Sequence, residues 1–136
     1  MLTALELFDA FVASRPADVI KLFAPDGVLE IPYIGQIGMR TTYTGHDEVG
    51  AFYERLAQVI PTWRLRDVEI HMADDTKVFA EFFVDEPTST PGRRFVQHFF
   101  ALMVVEGGKI VRLREALDLV ASARAFLPNG VADIPA

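Results

Sequence analysis

The chain has 136 residues, 51% of them hydrophobic, a net charge of −6 and no cysteine. That length bounds one domain with an ample core, and the missing thiols exclude disulfides, thiolate catalysis and sulfur-ligated zinc. An acidic balance with scattered basic residues argues against a nucleic-acid footprint, and no apolar run approaches the ~20 residues of a membrane span.

The N-terminus, MLTALELFDAF, carries acids where a signal peptide would carry bases, so the expected location is cytoplasmic. Residues 2–13 place Leu5, Phe8 and Val12 at helical spacing, with Leu7 and Phe11 beside them. Ser14 and Pro16 stop that helix and start a second short one, which turns Val19, Ile20, Leu22 and Phe23 inward. Pro25-Asp26-Gly27 reads as a turn, and Val28 to Ile31 as a short strand ended by Pro32. After a loose segment, 33–43, a variant capping box at Thr44 to Asp47 opens a third helix that Pro61 ends.

From Trp63 the character changes to strands. One runs to about Met72, the next from Lys77 to Asp85, and a polar loop follows at Glu86–Gly92. Arg93 to Leu117 reads as two long strands joined by a Gly107-Gly108 turn. An alanine-rich segment near 118–127 is expected to be helical, and 128–136 forms a tail to a single domain spanning 1–127. Helices segregated from a mostly antiparallel sheet give an α+β fold, with a curved, cone-shaped sheet wrapped around the N-terminal helices.

Side-chain alternation points to the site. On the last strand Arg112 and Arg114 share one face, while Val111, Leu113, Glu115 and Leu117 share the other. One carboxylate thus stands on an apolar stripe away from the arginines. Burial would raise its pKa and suit it to acid/base work. The lesser readings are that it lines a pocket without reacting, or pairs with an arginine from another element. On the preceding strand Gln97 shares its face with Phe95, Phe99, Ala101 and Met103, and a buried amide must find a partner. That partner is a ligand carbonyl, Glu115 or a backbone group.

Several phrases, in order, resemble the nuclear transport factor 2-like superfamily and within it the SnoaL-like and ketosteroid-isomerase-like proteins. They are Leu22 to Gly27 leading into Val28 to Pro32, Thr44 to Val49, and Gly107 to Glu115. The resemblance implies a cystatin-like α+β barrel and a homodimer. Carried over position by position, it is mostly subtractive. The isomerase base falls at Ile31, the oxyanion tyrosine near Leu7, and the protonated aspartate at Gln97. The epoxide-hydrolase Arg-x-Asp falls on Phe82-Phe83-Val84. What survives is the cavity acid of the last strand, which the resemblance too puts at Glu115.

The expected catalytic pair is therefore Glu115 as general acid/base and Gln97 as hydrogen-bond donor. Expected pocket walls are Phe8, Phe11, Ile31, Tyr33 and Phe52, with Phe95, Phe99, Leu113 and Leu117 from the long strands. Glu30 and Glu81 are of ambiguous facing, because a bulge would swap them. No histidine spacing suggests a metal site, and no cofactor motif is present. Val96, His98, Phe100, Leu102 and Val104 form a second apolar row, so the outer sheet face is expected to meet a second copy of the chain. The expected function is a cofactor-independent isomerase, cyclase or hydrolase on a small apolar metabolite. The alternative is a non-catalytic ligand-binding or dimerisation module.

Overall fold

The computed structural model describes residues 1–136. Its six-stranded sheet has the order β2-β1-β6-β5-β4-β3, from β1 (Phe23–Glu30), β2 (Thr42–Thr44), β3 (Arg66–Ala73), β4 (Lys77–Pro87), β5 (Arg94–Glu106) and β6 (Lys109–Leu117). Only β1 and β6 run parallel. The helices are α1 (Ala4–Ala13), α2 (Gly45–Val59) and α3 (Leu119–Phe126), so the expected α+β class holds. No helix is long and apolar enough to cross a membrane.

Local chemistry sets the boundaries. Thr3 and Glu6 form a reciprocal capping box at the start of α1, satisfying two orphan amides. At α2 the hydroxyl of Thr44 caps nothing; instead its backbone amide donates to Glu48. Gly107 and Gly108 both take positive φ, as the tight β5–β6 turn requires. The expected turn at Pro25–Gly27 is absorbed within β1, as an irregularity in its pairing with β6 between Phe23 and Val28. A Cβ on Gly27 would lie 2.8 Å from the Ile110 carbonyl oxygen, so only glycine lets these strands close there. The segment expected to be loose contains a 3₁₀ turn, Pro32–Ile37, and the short β2.

Alternation on β5 is kept throughout its inner row: Phe95, Gln97, Phe99, Ala101 and Met103 are all at most 3% exposed. On β6 it breaks once. Between the pairs Val104–Arg112 and Val105–Ile110, β6 spends two residues against one of β5. Val111 is the extra residue, so Ile110 is fully buried where Val111 was expected inward. Beyond that bulge the parity is as read, with Leu113 and Glu115 inside and Arg112 and Arg114 outside. One main cluster of buried residues joins α1 and α2 to the sheet, and a smaller one packs Ile31, Ile34 and Ile37 against Ala123 of α3.

Candidate functional site

A cavity of about 610 Å³ opens between the inner sheet face, α2 and α3, and 18 of its 27 lining residues are hydrophobic. That is ample room for a small organic molecule. Glu115 lies in its wall, only 6% exposed. Its position follows from strand pairing: Ala101 sits directly opposite on β5, a side chain too small to fill the space above it. The two neighbouring arginines are taken on the other face, where Glu30 accepts from Arg114 at 2.9 Å and lies 3.1 Å from the Arg112 guanidinium. Glu30 is therefore an outer-face acid, and nothing cationic reaches Glu115 through the sheet.

Burial pushes the Glu115 carboxyl up to about 7, and no hydrogen bond or ion pair offsets it. Yet no buried polar atom of the chain is both fully occluded and unpartnered. The carboxyl oxygens therefore face cavity space. Near neutral pH such a group is divided between acid and base forms, the condition for moving a proton in either direction.

Tyr53, a residue the helical pattern assigns simply to the apolar face of α2, adds a buried phenol to the wall. It is 4% exposed and its phenol holds no hydrogen bond within the chain. Burial, reinforced by the charge of Glu115, holds that phenol well above its usual pKa. It is a neutral donor at any physiological pH. Phe52 meets Tyr53 edge-on at 5.1 Å and Tyr43 at 4.8 Å, which fixes this aromatic wall. The only tryptophan, Trp63, stacks on Phe95 at 6.0 Å and also lines the cavity.

Of the expected walls, Phe11, Ile31, Phe52, Phe95, Phe99 and Leu117 line the cavity. Phe8 and Leu113 do not; at 1% and 0% exposure they are core beneath it. Tyr33 is 53% exposed, because the 3₁₀ turn begun by Pro32 rotates Ile34 and Ile37 inward instead.

Gln97 is also outside the lining, and its amide is fully engaged. Its Nε2 donates to the Asp118 carbonyl (2.8 Å) and Ser122 Oγ (3.1 Å), while Oε1 accepts from the amides of His98 and Asp118. All four hydrogen-bonding positions are used, so none is left for a ligand. Gln97 instead anchors the start of α3, whose cap is Asp118. The other end of α3 is held by Arg93, which donates to the carbonyls of Leu127 and Pro128. Across the cavity, the Ser89 amide donates to the Val59 carbonyl at 2.7 Å, tying the 88–90 turn to the end of α2.

On the outer face, strand pairing brings together histidines that sequence spacing keeps apart. His98 lies 2.6 Å and His71 2.8 Å from opposite oxygens of Glu81, so Glu81 too faces outward. Glu69, His71 and Glu81 offer atoms within 4.8 Å of one another, but the closest of these are already bonded among themselves. Around them Val96, Phe79 and Phe100 are exposed at 58%, 39% and 39%.

A family model described as SnoaL-like domain matches residues 4–113, ending two residues before Glu115. An uncharacterised PhzA/B-like protein of Pseudomonas aeruginosa is 30% identical over 95 residues, 69% of this chain and 66% of that protein, just under two thirds of its length. Among solved structures, a phenazine biosynthesis-related protein from Pseudomonas aeruginosa superposes with a TM-score of 0.78 at 19% identity, covering 90% of this chain and 83% of that one. A Catenulispora acidiphila protein with a ketosteroid isomerase-like fold, in complex with trimethylamine, gives a TM-score of 0.68 at 21% identity over 93% and 96% of the two chains.

Proposed function

Because this chain belongs to the SnoaL-like domain family, with a nuclear transport factor 2-like fold, we propose that it is a cofactor-independent acid/base enzyme acting on a small, largely apolar carbonyl compound. The observation that carries this reading is the isolation of Glu115: a carboxyl at about 7, facing a roomy cavity with no partner of its own. In its ionised form Glu115 removes a proton from carbon beside the substrate carbonyl, and in its acid form it returns the proton at a second position. Tyr53 takes the donor role expected of Gln97, since its hydroxyl is free and Gln97's amide is not. A donor fixed where negative charge develops lowers the barrier more than one recruited from water. The chemistry is isomerisation or cyclisation, and it needs no metal.

The exposed apolar row on the outer face supports a two-fold homodimer, with the pocket of each subunit turned away from the contact.

The reading is tested by hydrogen–deuterium exchange on small cyclic ketones followed by NMR. The protein is expected to speed exchange at the α-carbon of ketones that bind, and Glu115→Gln to abolish the effect while still binding them. Equal exchange rates for both proteins, on every ketone that binds, would leave only a carrier or sensor.

A further inference from the structure

We propose that the molecule held in this cavity is an amphipathic organic acid, whose apolar body fills the interior and whose carboxylate rests against Arg55 and Arg93 at the mouth. The inference rests on reading the cavity as a ligand site and adds the charge of the ligand to that reading. Among the 27 lining residues only Arg55, Arg93 and Glu115 have basic or carboxylic side chains, and two of the three are cations. This is notable in a chain with 19 acids, 13 bases and a net charge of −6. A net negative charge disfavours an anion at long range, and two guanidinium groups in the lining favour one locally.

Neither cation forms a salt bridge with a carboxylate of the chain. Arg55 is exposed on α2, and the positions one turn away along the helix are Ala51, Phe52, Gln58 and Val59, none of which is acidic. The nearby Glu48 is bonded to Arg40. Arg93 donates to the carbonyls of Leu127 and Pro128, which fix its position, and it makes no direct ion pair with a carboxylate. Asp133 feels the charge of Arg93 at a distance, but its carboxylate accepts its hydrogen bonds from Asn129. Ser89 and Thr90 add hydroxyl groups to the same lining. Guanidinium and hydroxyl donors at a rim above an aromatic interior match a carboxylate joined to a ring.

Trp63, the only tryptophan, lines the cavity and reports occupancy by fluorescence excited at its red edge. The probes are 4-cyclohexylbutanoate and its primary amide, which match in size, differ in charge and do not absorb there. At low salt the carboxylate is expected to bind about tenfold more tightly than the amide. The preference should shrink in about 0.5 M salt and fall to near unity in Arg55→Gln, as carboxylate binding weakens toward that of the amide. Arg93→Gln serves as the second variant. Equal binding of the two probes, or a preference that survives both substitutions, would overturn the inference and leave the acid/base reading intact. If neither probe perturbs Trp63, the ligand site itself is wrong and both readings fall.

Discussion

Replacing Glu115 with glutamine should make the protein more stable at alkaline pH and change it little at acid pH. The carboxyl is raised from 4.5 to about 7 by burial, so the folded state holds its proton where the unfolded state releases it. Stability from this group is therefore complete below about pH 4.5 and is lost as pH rises through 7. At 1.36 kcal/mol per pH unit, the gap corresponds to about 3 kcal/mol between the two limits, a large share of the ~5–15 kcal/mol that holds a domain folded. Glutamine keeps the shape and never ionises. Urea titrations of both proteins at pH 5, 6.5 and 8 isolate the term, since every other titrating group cancels in the difference. The variant's advantage is expected to grow by about 2–3 kcal/mol from the first pH to the last. Parallel stability curves would mean that Glu115 ionises as it does in water, and the argument from burial would be refuted along with the acid/base mechanism.

Gln97→Leu should cost about 2–4 kcal/mol in a denaturant melt, because it strips partners from the Asp118 backbone and the buried Ser122 hydroxyl; a neutral result would show that α3 does not depend on this amide. Phe100→Glu on the outer face should turn a dimer into a folded monomer with unchanged probe binding, read by analytical ultracentrifugation and Trp63 fluorescence; an unaltered sedimentation coefficient would move the interface elsewhere. Hydrogen bonds from His98 and then His71 hold the Glu81 carboxyl below its usual range. Their stabilisation is present above the unfolded pKa and disappears as pH falls, so Glu81→Gln should flatten the acid limb of the stability curve, and identical acid limbs would show that the cluster contributes nothing.

The sheet was legible because alternation on long strands is a strong signal and Gly107-Gly108 marks a hairpin. Glu115 was legible for the same reason, even though the Val111 bulge shifts one end of its strand. Tyr53 was not, because a helical hydrophobic pattern registers its ring and ignores its hydroxyl. Glu30 and Glu81 stayed ambiguous until pairing placed Arg112, Arg114, His71 and His98 beside them. Such partners are set by register between strands, which spacing along one strand does not encode. The 3₁₀ turn that exposes Tyr33 has too few residues to carry a periodicity.

The attachments of α3 have a bearing on how molecules enter. Its start is fastened by the Gln97 amide and its end by the Arg93 guanidinium, both borne by residues at the opening of β5, and the facing turn is tied to α2 through Ser89. A wall held at both ends is expected to move little, and the entrance should then keep one gauge when a molecule enters. Under the proposed function, guests should be sorted by cross-section before any chemistry begins, and a bulky homologue should be refused at the threshold.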